Sequence, residues 1–169
     1  MRKVLIIAVA MLFAAVQVNA QRVGYISTEK ILSAIPEYSV AQEQLENLSR
    51  QYSKKIESEY AKIEAMYQAY QQQKTTLSAQ ARSQKENEII SREKTVKELQ
   101  KSYFGQDGLM QKKSEDLLNP LKERVDAAVK KIAENGNFMI IFDVSMMQGV
   151  AYTNVNDDLS GLVIKALGY

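Results

Sequence analysis

Cysteine, histidine and tryptophan are all missing from the 169 residues, and proline occurs only twice. Without cysteine there is no disulfide staple and no thiol nucleophile. Without histidine there is no imidazole base. No phosphate loop is present either. Gly105-Gln106-Asp107-Gly108 lacks the Gly-Lys-Ser/Thr ending and does not follow a predicted strand. Excess charge of one sign is missing too. The chain carries 22 basic and 20 acidic residues, and two of the basic ones, Arg2 and Lys3, lie at the extreme N-terminus. Without those two the counts are equal, so bulk attraction to nucleic acid is excluded as the main activity. These absences argue against an enzyme, and no cofactor or metal is expected.

What is present begins with a leader. Arg2 and Lys3 precede an apolar run over 4–16, and Val18-Asn19-Ala20 follows as a small-residue cleavage site. This is the pattern of a secretory signal peptide over 1–20, too short for a stable membrane span. No cysteine follows the run, so lipid attachment there is excluded.

The dominant signal is a pair of long apolar stripes that mirror each other. One runs Tyr38, Ala41, Leu45, Leu48, Tyr52, Ile56, Tyr60, Ile63, Tyr67, Tyr70. The other runs Ile89, Val96, Leu99, Tyr103, Met110, Leu117, Leu121, Val125, Ala128, Ile132. Folded about an apex near Ala79 and Gln80, they pair Tyr70 with Ile89, Ile63 with Val96, Ile56 with Tyr103 and Ala41 with Leu117. Two antiparallel helices produce this symmetry. The outgoing stripe covers an arc of roughly 120°, one buried face. Its repeat of about 3.6 residues predicts a nearly straight arm of roughly 60 Å.

The expected organisation is a hairpin arm over 37–120 and a small body from 21–36 and 121–169, after the leader 1–20. In the body, 22–27 reads as a strand and 29–35 as a short helix capped by Ser27 or Thr28 and ended by Pro36. The run 138–142 reads as a buried strand and 149–153 as another. A last helix, capped by Asn156 or Asp157, places Leu159, Leu162, Val163, Ala166 and Leu167 inward. Gly105 and Gly108 read as a soft point in a continuous return helix, because the stripe keeps its phase when the helix is run straight through them. Pro120 reads as a kink or the start of a new segment capped by Asn119, and Asn135-Gly136 as the helix end. Three short strands leave open edges, which call for a homo-oligomer.

Asp143 reads as a turn acceptor before Ser145, and Asp157-Asp158 as a pair at a helix N-terminus. The remaining chemistry is surface chemistry. Ile90 and Phe104 point away from the return stripe, Leu109 is displaced to one side, and Met66 lies at the edge of the outgoing stripe. Singly, such residues are ordinary; together along one arm they form a sparse contact surface, with Met tolerant of varied partners. From Lys74 to Lys101 there are seven basic and four acidic residues. The plain reading is a solvated face. The sharper one is weak contact of the arm tip with an anionic membrane surface or with acidic clients.

A signal peptide, the strand Arg22-Val23-Gly24-Tyr25-Ile26-Ser27, a long charged hairpin, then Phe138-Met139-Ile140-Ile141-Phe142-Asp143, Val150-Ala151-Tyr152 and Asp157-Asp158-Leu159-Ser160 before a final helix together resemble the Skp (OmpH) family of periplasmic chaperones. The resemblance covers the whole mature chain, and its specificity lies in the two ends. It implies an α+β, mostly α fold: a long antiparallel hairpin projecting from a small β-body that trimerises. It further implies periplasmic location and ATP-independent holding of unfolded outer-membrane proteins inside a cavity between three arms. On that reading Met66, Ile90, Phe104 and Leu109 face the client, while Val23, Tyr25, Ile26, Phe138, Ile140, Phe142, Val150 and Tyr152 serve oligomerisation. The best-known members are strongly basic; this chain is neutral after cleavage. The competing reading is a non-enzymatic structural or adaptor coiled coil of the cell envelope.

Overall fold

The computed structural model describes residues 22–169; the leader expected over 1–20 lies outside the described residues. Strand β1 (Arg22–Ile26) leads into α1 (Thr28–Ser33) and the long α2 (Pro36–Gln73). Then follow α3 (Ala79–Phe104), α4 (Leu109–Asn135), β2 (Phe138–Asp143) and α5 (Ser160–Leu167). Single 3-10 turns lie at Val144–Met146 and Val155–Asp157. The described residues divide into two compact units, 22–31 with 127–169, and 32–126. No helix among them is long and apolar enough to cross a membrane.

In the unit 32–126, α2 and α3 pack antiparallel. Pro36 starts α2 because its fixed φ suits the first turn and its missing N–H is not needed there. Thirty-eight residues make α2 about 57 Å long. Ile56, Ile63 and Tyr70 of α2 meet Ile89 and Val96 of α3 in one apolar seam, with Met66, Leu77 and Tyr103 at its margins. The turn at 74–78 closes through Thr76 N–H and Leu77 N–H donating to Gln73 O. Ser78 then caps α3, its Oγ accepting from Ala81 N–H at 3.2 Å. Tyr70 donates its hydroxyl to Glu86 across the seam. That bond, then burial, raises the Tyr70 pKa above its ordinary value.

The register differs from the expected one. Tyr52 stacks on Tyr103, ring centroids 4.0 Å apart and planes 8° from parallel. The expectation set Ile56, one turn further along, opposite Tyr103. The return helix is also broken. Helix α3 ends at Phe104, 105–108 turns irregularly, and α4 begins at Leu109, so the glycines are a true interruption and not a soft point. A Cβ on Gly105 would lie 2.4 Å from Lys101 O, and one on Gly108 would lie 2.8 Å from Gly105 O. Asp107 takes a φ of 58°, uncommon for a non-glycine residue. The turn is well bonded nonetheless. Gly105 N–H donates to Lys101 O, Gly108 N–H to Gly105 O, and Asp107 N–H to the Gln111 side chain.

No new segment starts at Pro120, which lies inside α4. A proline there removes one helical bond, but Pro120 and Asp116 are exposed, so water can satisfy the freed carbonyl. Near the start of α2, Arg124 donates to Glu37 at 3.2 Å. Ala41 lies beside Leu117 and Leu121, across a shallow groove.

In the unit 22–31 with 127–169, β1 and β2 pair in parallel, from Val23 opposite Ile140 to Ile26 opposite Asp143, with an irregularity between Arg22 and Val23. A parallel pair needs a long crossover, which the intervening helices provide in sequence. Ile26, Ile31, Leu159 and Val163 form the apolar centre. Buried Ser160 accepts from Ser27 N–H at 2.9 Å, and Ser27 Oγ accepts from Lys30 N–H at 3.2 Å, the expected cap of α1. Gly24 is needed for close approach, because a Cβ there would meet Leu159 Cδ1 at 2.6 Å. Leu162 and Ala166 face outward, contrary to expectation.

The expected strand at 149–153 is absent, leaving a two-stranded sheet among the described residues. Nor is 138–142 a buried strand: Met139, Ile140 and Phe142 are exposed. The two corrections have different causes. A strand needs a partner edge for its hydrogen bonds, and 149–153 makes no such pairing although the outer edge of β2 is free among the described residues. Strand β2 is paired, but Met139, Ile140 and Phe142 are left uncovered.

Candidate functional site

The carboxylates resolve into structural roles. Asp143, at the end of β2, accepts from Thr28 N–H and from the N–H and hydroxyl of Ser145. It is the expected turn acceptor and also ties the start of α1 to the sheet. Burial pushes its carboxyl up, but the hydrogen bonds from Ser145 and Thr28 together outweigh burial and hold the pKa below the usual range. Asp158 behaves alike: burial raises it, and bonds from Ser160 and Lys30 bring it below its ordinary value. Its Oδ1 accepts from Ser160 N–H at 2.8 Å and its Oδ2 meets Lys30 Nζ at 2.9 Å. Glu59 sits between Lys62 at 2.7 Å and Lys55 at 3.4 Å on a solvated face of α2. No group of three or more acids placed to hold a metal occurs among the described residues.

Apolar exposure is the remaining feature, and it has two distributions. Along α2, α3 and α4 it is dispersed. Ile90 is 61% exposed, Phe104 42% and Leu109 46%. Phe104 meets Tyr52 edge to face, at 6.2 Å and 84°. Leu109 lines a recess at the helix break with Lys101, Asp107, Gly108 and Lys112. Met66 is half-buried against the seam and beside a separate hollow with Lys85, Glu88 and Ile89. The four residues singled out by sequence are therefore spread along the hairpin, with Phe104 and Leu109 flanking one break. Tyr60 and Tyr67 belong to the outgoing apolar stripe yet are exposed. Two helices in contact bury a narrow seam, here Ile56, Ile63 and Tyr70, and half of a 120° stripe stays outside. The spacing of seven between those three residues is the signal that could have separated seam from flank.

Around the sheet the exposure is concentrated. Val23, Ile140, Phe142 and Val150 are exposed, and Tyr152 is 84% exposed. Val23, Tyr25, Phe142, Met147 and Val150 line a shallow groove. Met139, Met146 and Val155 add to this surface. Phe138 is half-buried under the Arg22 guanidinium, 4.3 Å from its centroid. Ile26 is buried in its own unit's centre, leaving little of it for a partner. The far edge of β1 is occupied, Leu159 N–H donating to Tyr25 O at 2.8 Å, whereas β2 pairs only with β1. Such an open, apolar edge is a template for another chain.

Basic side chains of the outer hairpin, Lys74, Lys85, Arg92, Lys94, Lys97 and Lys101, are exposed. Lys74 Nζ lies 5.8 Å over the Tyr70 ring.

Comparison with known proteins places these features. The family profile described as outer membrane protein (OmpH-like) matches residues 22–167. The chain is similar to the chaperone protein Skp of Yersinia enterocolitica, 24% identical over 154 residues, covering 91% of this chain and 90% of that protein. Its fold is similar to a crystal structure from Caulobacter crescentus described as an OmpH-like outer membrane chaperone. The TM-score is 0.66 at 13% identity, covering 87% of this chain and 83% of that one.

Proposed function

Because the chain belongs to the OmpH-like outer membrane protein family, we propose that it is a non-enzymatic, ATP-independent holdase. It binds unfolded outer-membrane proteins in the periplasm and prevents their aggregation. The observation that carries this reading is the division of apolar surface: concentrated around the sheet, dispersed along the hairpin. A concentrated patch with an open strand edge suits a permanent partner, and a second and third copy of this chain are the proposed occupants. Val23, Tyr25, Phe138, Ile140, Phe142, Val150 and Tyr152 are the proposed contacts.

Dispersed side chains suit the opposite need. Burying one large apolar side chain contributes about 1.5–3 kcal/mol. Several weak sites engaged together hold an unfolded chain without requiring one sequence, and each can release separately without fuel. Met66, Ile90, Phe104 and Leu109 are the proposed client contacts, with Tyr60 and Tyr67 beside them. The basic outer hairpin gives a secondary, salt-sensitive preference for acidic clients or anionic lipid.

Native mass spectrometry of the mature chain, alone and with a urea-unfolded β-barrel diluted into it, tests the reading. Trimers that take up one client are expected. Trimers that ignore unfolded chains would favour the envelope adaptor, and monomers would remove the shared cavity. Alanine at Met66, Ile90, Phe104 and Leu109 together is expected to weaken client binding about tenfold or more, an effect of about 1.4 kcal/mol. Unchanged affinity would sink that assignment.

A further inference from the structure

The break at 105–108 coincides with a change of register. On its outer side Tyr103 faces Tyr52. Counting residue for residue from that pair, Ala41 would face Ser114. The groove beside Ala41 is lined instead by Leu117 and Leu121, about one and two turns further along the return helix. The Arg124–Glu37 pair lies on the same, longer count. The four residues 105–108 therefore take up about one helical turn of sequence that α2 does not match.

Four residues rotate a helix by about 400°, close to one full turn. Winding 105–108 into helix would leave the apolar residues of α3 and α4 on one continuous face. It would also set Tyr103 against Ile56, Val96 against Ile63 and Ile89 against Tyr70, all of them seam or margin residues. Both registers thus bury apolar side chains on the same face of α2. We propose that the segment 105–108 is a register ratchet of about one turn: with the turn looped out Tyr103 meets Tyr52, and with it wound into helix α3 advances about 6 Å along α2. The apex can yield, since Lys74, Thr75, Thr76 and Ser78 are exposed and only Leu77 of the turn is partly buried against the seam. The Tyr52–Tyr103 stack and the Tyr70–Glu86 bond hold the looped register. The recess beside Leu109 belongs to that register, so the slide changes the surface offered next to two proposed client contacts. The proposal stands on geometry alone and does not depend on the chaperone reading.

The chain has no cysteine, so paired substitutions report register against no background thiol, both pairs losing the Tyr52–Tyr103 stack alike and keeping the Tyr70–Glu86 bond. Tyr103→Cys is combined with Tyr52→Cys or with Ile56→Cys in the full mature chain and treated with a short thiol-to-thiol crosslinker. The first pair is expected to react faster in the native background. Adding Gly105→Ala and Gly108→Ala opposes the looped form through the backbone contacts at 2.4 and 2.8 Å and favours helix. The ratio of 56–103 to 52–103 crosslinking is then expected to rise about tenfold or more. Deleting 105–108 should give a continuous helix with only the 52–103 crosslink. Both variants are checked for helical content by circular dichroism. A ratio unmoved by the double alanine variant in a folded chain would overturn the ratchet. So would a deletion variant that loses its helical signal, because the outer and inner registers would then not be separated by one turn.

Discussion

Replacing Tyr52 with alanine separates the observed register from the one that symmetry of the stripes suggests. The Tyr52 ring stacks on Tyr103 at 4.0 Å and meets Phe104 edge to face at 6.2 Å. Each aromatic pair is worth about 0.5–1.5 kcal/mol beyond its buried area. Tyr52 is half-buried, so truncation also loses about 1 kcal/mol of apolar burial. Together these give about 2–4 kcal/mol, a large share of a total near 5–15 kcal/mol. Urea unfolding followed by circular dichroism, at one fixed protomer concentration, measures the loss. A double-mutant cycle then isolates the contact. Tyr52→Ala with Tyr103→Ala is expected to show coupling of about 1 kcal/mol. Ile56→Ala with Tyr103→Ala should show weaker coupling, since Tyr103 touches the seam only at its margin, though the Ile56 change alone is costly because Ile56 is buried there. Stronger coupling between Ile56 and Tyr103 than between Tyr52 and Tyr103 would refute the register and the ratchet's ground state with it.

Other expectations are as direct. Gly24→Ala drives a Cβ into the buried Leu159 side chain at 2.6 Å, and a cost of about 1–3 kcal/mol is expected as a lowered midpoint in thermal melts. Asp143 and Asp158 have folded pKa values below their ordinary ones. Their contribution to stability is therefore present above the unfolded value near 4, and is lost as pH falls through the folded values. Melts between pH 6 and 2 should show this loss, and Asp143→Asn with Asp158→Asn should flatten it. Phe142→Asp places a charge on the exposed apolar face of β2; light scattering after size exclusion should show smaller assemblies with helical content retained.

The sequence alone determined the elements whose signals are local or periodic. A cap of α1 at Ser27 or Thr28, Pro36 at a helix boundary, Asp143 as a turn acceptor and the antiparallel pairing of two long stripes follow from hydrogen-bonding chemistry and helical spacing. The resemblance of the two ends identified the family, and the match over 22–167 agrees with it. The surface character of Ile90, Phe104 and Leu109 was also legible, because each breaks the phase of a stripe.

Tertiary structure alone decided the rest. A helical wheel measures angle and not height, so an interruption of four residues, nearly one whole turn, leaves the phase almost intact. That is why Gly105–Gly108 read as continuous helix and why the pairing was placed one turn away from Tyr52–Tyr103. The wheel also overstates burial. Tyr60 and Tyr67 share an arc with Ile56 and Ile63, yet only the line touching α3 loses its water. Finally, Val150 and Tyr152 have the composition of a strand, but hydrogen-bonded pairing is a property of two segments together. Among the described residues their backbone pairs with no strand, although the outer edge of β2 is free.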